Sequence, residues 1–176
     1  KNMLSLLDVK KAKEIVQELK SQTDITIVSF HGGAEGTEHV RVPKKAEIFY
    51  GENRGDVHHF ARAVVDAGAD IVLGHGPHVT RAVEVYKNKF IAYSLGNFNT
   101  YGRFSLTGDK GIAPLLDIKL KSNGDFLSAK VVSVKQTKEK GLELDAENRA
   151  FQRIKQLTKL DFPEQNLKFE ENTIKL

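Results

Sequence analysis

Three histidines follow two short apolar segments of the chain and are the residues best suited to chemistry. His31 comes directly after the apolar residues 25–30, and His75 and His78 follow residues 71–73. Glycines in both loops, Gly32 and Gly33 in one and Gly74 and Gly76 in the other, allow the backbone to approach a ligand closely. Neutral imidazoles on rigid strand ends suit borderline transition metals, and histidines without thiolates favour a catalytic metal site with open positions. The alternative is that each histidine is an ordinary hydrogen-bonded turn residue.

Carboxylates and one amide form a second group of candidates. The segment after His31 carries four carboxylates that suit a metal ligand, a general acid or an ordinary surface charge: Glu35, Glu38, Glu52 and Asp56. Asn97 lies in a segment that fits a tight turn, and it could also direct its amide into a site. The remaining histidines are expected at the solvated surface, two of them on the polar side of a helical pattern: His39, His58 and His59.

Two helix–strand units must position these residues. Asp8 can cap a helix with an apolar residue at every third or fourth position, and the β-branched segment 25–30 is typical of a strand covered on both faces. A second helical pattern occupies residues 57–65 and stops at Gly68, before the apolar residues 71–73. Ligands of such sheets bind beyond the carboxyl ends of the strands, so the three histidines are expected to converge in one pocket.

The rest of the chain predicts mainly hairpins. Residues 82–86 and 90–94 flank one turn signal, and residues 112–120 and 126–134 flank a stronger one at 122–125. These segments add antiparallel strands to the predicted architecture.

Two further segments complete the pattern. Asp145 can cap a last helix, and a polar tail to which no regular structure is assigned begins at Asp161. The long segment Glu38–Asp56 has no clear periodicity, and such segments tend to be functional or mobile. It is expected to border the pocket and to contribute polar contacts from Glu52, Asn53 or Arg54.

Composition narrows the class of protein. The chain has 176 residues, a formal net charge of +4 and no cysteine, which excludes a disulfide framework, an iron–sulfur site and a thiolate nucleophile. Its basic residues are scattered, so no nucleic-acid partner is predicted. No apolar run approaches the roughly 20 residues that span a bilayer. The chain starts at Lys1 and a helical pattern follows almost at once, which is typical of a piece cut from a longer protein.

Three segments together resemble the CapA family of capsule and poly-γ-glutamate synthesis proteins: residues 27–35, 67–79 and 91–98. That family has a calcineurin-like metallophosphoesterase fold, so the resemblance implies an α/β domain, a sandwich of mixed sheets with flanking helices. It also implies that residues 1–160 are the C-terminal half of one such domain and that residues 161–176 are a polar C-terminal tail. The N-terminal half, which supplies the first aspartate and histidine motifs and a bridging aspartate, has no match here.

The resemblance implies that His31, His75 and His78 bind two divalent metal ions, Mn, Zn or Fe, in a binuclear centre. The expected function is then a metal-dependent hydrolase that acts in capsule or poly-γ-glutamate synthesis or processing. Asn97 and Glu35 are the expected catalytic residues, and the expected substrate contacts are Glu52, Asn53, Arg54 and Arg103.

The resemblance also implies partners and a location. The partners are the missing N-terminal half, an anionic polymer or phosphoester substrate, and the capsule or polyglutamate synthesis machinery. The location is the bacterial cell envelope outside the cytoplasm, with the cytoplasm as the alternative. Two positions depart from the family: Gly32 replaces an aromatic residue, and Gly76 replaces a frequent histidine or serine. The alternative function is a non-catalytic envelope scaffold that binds an anionic polymer for its synthesis or export.

Overall fold

A computed structural model describes residues 4–102 and 104–176, and within them the chain forms mixed sheets with flanking helices. The helices are α1 (Val9–Lys20), α2 (Val57–Asp66) and α3 (Arg149–Asp161). The strands are β1 (Ile27–His31), β2 (Ile48–Phe49), β3 (Glu52–Asn53), β4 (Ile71–His75), β5 (Val83–Tyr86), β6 (Lys89–Ala92), β7 (Ile112–Leu120), β8 (Phe126–Thr137), β9 (Gly141–Leu144), β10 (Lys168–Glu170) and β11 (Thr173–Lys175). The predicted α/β class is confirmed.

The first sheet has the strand order β1-β4-β6-β5, in which β1, β4 and β6 are parallel and β5 is antiparallel. The helix α1 begins at its predicted cap, Asp8, and α2 begins at a cap of the same type, Asp56, which was not predicted as a cap. The Asp8 carboxylate accepts a hydrogen bond from the Lys11 amide at 3.0 Å, and the Asp56 carboxylate accepts one from the His59 amide at 2.8 Å. The apolar faces of α1 and α2 pack on one face of this sheet.

The second sheet has the order β10-β11-β8-β7, and β9 pairs with the other end of β8. Both predicted hairpins are present, β5–β6 and β7–β8. The second sheet and α3 cover the other face of the first sheet, where the rings of Phe90 and Phe126 stack at 4.9 Å. The core of the molecule therefore lies on both faces of β4 and β6, most of whose residues are buried.

Strand β1 differs from the strand that the sequence predicts. Its apolar residues suggest cover on both faces, but β1 lies at the edge of the sheet, and among the described residues only β4 pairs with it. Phe30 is buried, whereas Ile27 and Ser29 are exposed. One face and one edge of this strand are therefore open to other chain segments.

The polar tail 161–176 forms a hairpin rather than an irregular end. Glu171 and Asn172 adopt φ values of 46° and 60°, which make the tight turn between β10 and β11. Ile174 is fully buried, and β11 pairs with β8. Three-residue strands are too short to give a periodic signal, and they gain their stability from pairing with the longer strand.

The last helix begins close to the residue that was predicted to cap it. The Asp145 carboxylate accepts a hydrogen bond from the Arg149 amide at 2.9 Å and also pairs with the Arg149 side chain. Asn148, in the left-handed conformation, immediately precedes the helix. Within the described residues, no helix combines the length and the apolar character that a bilayer crossing requires.

Candidate functional site

His31 and His75 lie side by side at the carboxyl ends of two parallel strands. They are register partners in the β1–β4 pair, and the Gly32 amide donates a hydrogen bond to the His75 carbonyl at 2.8 Å. The two loops touch at Gly76, where a Cβ atom would lie 2.7 Å from the Gly32 carbonyl oxygen, and the Gly76 φ is +119°. Only glycine fits there. The predicted placement of the first two histidines on one edge of the sheet is confirmed.

These two histidines line a groove between α1 and β1 with a volume of about 720 Å³. Most of its other lining residues are apolar, among them Leu6, Val16 and Phe30. Burial, with a smaller effect from His31, lowers the pKa of His75, so its imidazole is neutral at pH 7. Neutral imidazole is the form that binds metals.

His78 lies in a different cavity, so the expected single pocket is wrong. This second cavity has a volume of about 490 Å³ and is lined by Glu35, His78 and Asn97 together with the segment after Glu35. The Nε2 atom of His78 is 3.8 Å from a Glu35 carboxylate oxygen. His78 has a φ of 57°, a left-handed conformation that sequence spacing does not reveal.

Asn97 fixes the orientation and the tautomer of His78. Its side-chain nitrogen donates hydrogen bonds to the backbone carbonyls of Lys110 at 3.0 Å and His78 at 3.3 Å. Its oxygen therefore accepts from Nδ1 of His78, 2.8 Å away, which leaves the Nε2 lone pair directed toward the cavity. Asn97 lines the cavity and is only 4% exposed, and its expected catalytic role stays a prediction.

Glu35 joins His78 to the long segment before α2. One Glu35 oxygen lies 3.2 Å from a guanidinium nitrogen of Arg54, and Arg54 also pairs with Glu52 at 3.1 Å. The segment Glu38–Asp56 borders the cavity, as expected, through residues that include His39 and Phe49.

The other predicted substrate contacts are less central. The Asn53 side chain accepts a hydrogen bond from the Gly55 amide at 2.9 Å, which is a turn contact, and both Glu52 and Asn53 are exposed outside the cavity lining. Arg103 lies outside the described residues.

A buried ion pair between Arg81 and Glu47, which the sequence did not predict, connects the chain segments around this cavity. Arg81 is 0% exposed and donates to both Glu47 oxygens at 2.8 and 2.9 Å. It also donates to the carbonyls of Ala34 and His39, and Glu47 accepts from the Ala34 amide. The signal in the sequence was a single arginine two residues before β5, but its partner is 34 residues away.

The described residues do not form a complete metal centre by themselves. Among residues 4–102 and 104–176, no group of three or more histidine, aspartate and glutamate side chains is arranged to hold an ion. His31 and His75 offer two adjacent imidazoles, whereas His78 faces Glu35 in the neighbouring cavity. A binuclear centre needs bridging carboxylates that these residues do not bring to the groove.

His58 is not at the solvated surface, in contrast to the expectation, whereas its neighbour His59 is exposed as predicted. The His58 ring stacks against Phe162 at 5.9 Å and Tyr93 at 6.2 Å, and its Nε2 atom is buried without a hydrogen-bond partner. Burial and the positive charge of Arg62 lower the pKa of His58. The third of these histidines, His39, is half-buried and lines the His78 cavity.

This environment predicts a pH-dependent stability. Because the pKa of His58 is lower in the folded state than its unfolded value of about 6.5, the unfolded chain binds the proton more readily. The free energy of unfolding should fall as the pH drops below about 6.5 and level off below the folded pKa. Urea titrations of wild type and His58→Phe between pH 5 and 8 should show that the variant loses part of this slope, while His59→Gln keeps it. An unchanged slope in His58→Phe would contradict the assignment.

Comparison with known proteins identifies the family of this chain. The chain belongs to the bacterial capsule synthesis protein family PGA_cap, which it matches over residues 2–101. That range contains all three histidine loops and the whole first sheet. The resemblance to CapA proteins is thereby confirmed.

Individual relatives cover part of the same range. The chain is 37% identical over 111 residues to the PGA biosynthesis protein CapA of Bacillus subtilis. The matched region is 62% of this chain and 25% of that protein. The chain is 34% identical over 119 residues to the capsule biosynthesis protein CapA of Bacillus anthracis, 68% of this chain and 24% of that protein. A probable polyglutamine synthesis accessory protein of Mycobacterium tuberculosis is 37% identical over 78 residues, 44% of this chain and 17% of that protein. The match thus spans about a quarter of the length of the two CapA relatives.

Proposed function

We propose that this chain is part of a metal-dependent hydrolase domain that acts in capsule or poly-γ-glutamate synthesis or processing. The observation that carries the proposal is the pair of imidazoles of His31 and His75, held side by side on one sheet edge next to the His78 cavity. The family and the names of its relatives support the pathway. The proposed substrate is a phosphoester or an anionic polymer made by that machinery.

The proposed cofactor is a pair of divalent ions of the Mn, Zn or Fe type. Because the described residues offer no group of three ligands, we propose that carboxylates from outside this chain segment complete the centre. The relatives are about four times longer than the region they match here, so further sequence is the natural source of these ligands.

The open side of β1 supports this proposal. Its outer edge has no strand partner among the described residues, and Ile27 is exposed beside the groove that His31 and His75 line. Apolar residues of α1 and of the segment before it, among them Leu4 and Leu19, form the opposite wall. We propose that another part of the same protein adds to the β1 edge, covers this groove and places its carboxylates near the two imidazoles.

The residues of the second cavity suit proton transfer and the positioning of charge. His78, oriented by Asn97, presents its Nε2 atom to the cavity, 3.8 Å from a carboxylate oxygen of Glu35. Arg54 pairs with the Glu35 carboxylate, and its partly exposed side chain carries a positive charge that suits an anionic group. In this proposal His78 acts as general base or acid, and Arg54 contacts the substrate.

The test is hydrolysis of a generic phosphodiester, bis(p-nitrophenyl) phosphate, by the full-length protein with Mn²⁺ or Zn²⁺ added. We expect metal-dependent turnover that falls by about a hundredfold in His31→Ala and in His75→Ala, because each loses a ligand. His59→Ala is the matched control, since His59 is exposed and away from both cavities, and should retain turnover. Equal turnover in all three variants would contradict the proposed roles.

One observation favours a second candidate function. The described residues lack a three-ligand group, which also fits a non-catalytic scaffold in the bacterial cell envelope that binds an anionic polymer. Full-length protein that contains no metal, hydrolyses no phosphodiester and still binds polymer would support this candidate. The extracytoplasmic location belongs to both proposals.

A further inference from the structure

Four exposed lysines share the outer face of the second sheet. Successive side chains of a strand point to opposite faces, and Ile118, Ala129 and Ile174 pack in the core beneath this sheet. The residues next to them along the strands therefore lie on the outer face, and they include four exposed lysines: Lys119, Lys130, Lys168 and Lys175. We call these four residues the lysine face. Every residue of β7, β8, β10 and β11 is described.

Three of these lysines lie in one line across the four strands. Lys168 is the register partner of Lys175. Ser128 pairs with Lys175 on one side and with Lys119 on the other. Neighbouring strands are about 4.8 Å apart, so the line extends over roughly 14 Å. Like charges directly opposite each other destabilise a sheet, so the pair of Lys168 and Lys175 does not serve folding.

The charges of this face do not cancel. The four strands place two carboxylates on it: Asp117 is the register partner of Lys130, and a Glu170 oxygen lies 4.0 Å from the Lys175 ammonium nitrogen. Two of the four positive charges are left without a counterpart in these strands. Lysines often protect the open edges of sheets, which accounts for those on the outer strands β7 and β10 but not for those on the inner strands β11 and β8.

Exposed leucines accompany the lysine face. Leu115 lies on the same outer face and is 52% exposed. Leu127, which precedes Ser128, is 44% exposed, and Leu176, which follows Lys175, is 51% exposed. Lysine also carries its charge on a long apolar stem. Cationic and apolar side chains on one open surface suit the interface of a lipid bilayer, whereas a polymer of glutamate units offers charge without an apolar layer.

We infer that the lysine face docks on an anionic membrane surface. Long lysine side chains on one sheet face reach a plane of phosphate headgroups together, and each basic residue held near such a surface strengthens binding. Lipid headgroups supply the negative charge that the face lacks, and the bilayer interface accepts the neighbouring leucines. This interaction surface goes beyond the proposed function, because it does not depend on hydrolysis or on metal.

The lysine face lies away from His31 and His75. Lys89, the first residue of β6, pairs with Asp70 just before β4 and with Asp125 in the β7–β8 turn. The end of the second sheet that carries the lysine line is therefore next to the amino ends of β4 and β6. His31 and His75 lie at the carboxyl ends of their strands, so docking leaves their groove open.

The test is co-sedimentation of the full-length protein with vesicles made of equal parts of phosphatidylcholine and phosphatidylglycerol. We expect Lys168→Gln combined with Lys175→Gln to lower the partition coefficient about ten- to thirtyfold. Leu127→Gln should lower it about threefold, because an apolar side chain is lost from the interface. Binding to vesicles of pure phosphatidylcholine should not respond to the lysine substitutions.

The matched control removes the same charge from another surface. Lys10→Gln combined with Lys13→Gln changes two exposed positions of α1 and should leave binding to the anionic vesicles close to that of wild type. Because Lys168 and Lys175 repel each other, their double variant should melt at or slightly above the wild-type temperature, which separates binding from folding. Its hydrolysis of soluble bis(p-nitrophenyl) phosphate should equal that of wild type.

Three results would overturn the inference. The first is a double variant, Lys168→Gln with Lys175→Gln, that binds anionic vesicles as wild type does. The second is an equal loss in the α1 control. The third is calorimetry in which this double variant loses affinity for poly-γ-glutamate but keeps its vesicle binding, since the face would then bind polymer. Vesicle binding that depends on the lysine face, in a protein without metal-dependent hydrolysis, would support the inference and count against the proposed hydrolase alone.

Discussion

Residues 1–176 expressed on their own are expected to bind divalent metal at least about a hundredfold more weakly than the full-length protein and to hydrolyse no phosphodiester. The physical reason is charge. His31 and His75 are neutral donors, and two divalent ions need carboxylates that neutralise and bridge them, which the described residues do not bring to the groove. Metal content by mass spectrometry and bis(p-nitrophenyl) phosphate hydrolysis, measured on both proteins side by side, check this expectation.

The same comparison tests the open edge of β1. The shorter protein exposes an unpaired strand edge and an apolar groove, so it should self-associate in analytical ultracentrifugation. Ile27→Lys, which places a charge on the exposed face of that strand, should reduce association without restoring metal binding. A monomeric 176-residue protein with full metal occupancy and turnover would refute the incomplete-site proposal. The missing ligands would then be sought among Glu35, Glu38 and Asp56.

Replacing Arg81 by methionine is expected to destabilise the protein by about 3–5 kcal/mol, a large part of the stability of an ordinary domain. The substitution replaces the apolar stem of the side chain but removes the guanidinium group, which leaves the Glu47 carboxylate buried without its charge partner. It also leaves the carbonyls of Ala34 and His39 without a donor. Chemical denaturation of both proteins by urea measures the difference in the free energy of unfolding.

A double variant distinguishes the ion pair from simple packing. Arg81→Met combined with Glu47→Leu removes both charges, so it should recover much of the loss, because no unpaired charge remains buried. The matched control is Lys87→Met, since Lys87 forms an exposed pair with Asp66 and its loss should leave the free energy of unfolding close to that of wild type. If the double variant were as unstable as the sum of its single changes, the charge argument would be wrong.

The local elements of this fold were predictable from the sequence because their signals are local. Asp8 and Asp56 accept hydrogen bonds from amides three residues ahead, and Gly68 has the positive φ that ends a helix. The position of Lys87 and Asn88 between two apolar segments indicates a turn. Both residues have the positive φ of a tight hairpin turn. Each of these features depends on a few consecutive residues.

The open face of β1 and the final hairpin were less predictable. An apolar run such as residues 27–30 indicates a strand suited to burial, but it does not say whether a neighbour is present to cover it. The hairpin β10–β11 depends on pairing with β8, about 40 residues earlier in the chain. Neither the open face of β1 nor the pairing of β11 with β8 produces a strong pattern in the adjacent sequence.

The sequence by itself determined which residues reach the ends of the strands. His31 and His75 are the last residues of β1 and β4, two neighbouring parallel strands, so the register of this strand pair brings them together. Only the tertiary structure decided that His78 lines another cavity, because its hydrogen bond with Asn97 joins two loops that are distant in the sequence. The tertiary structure also decided the Arg81–Glu47 pair. A buried guanidinium loses its contacts with water and therefore needs a charged partner, but sequence spacing does not show which distant residue is that partner.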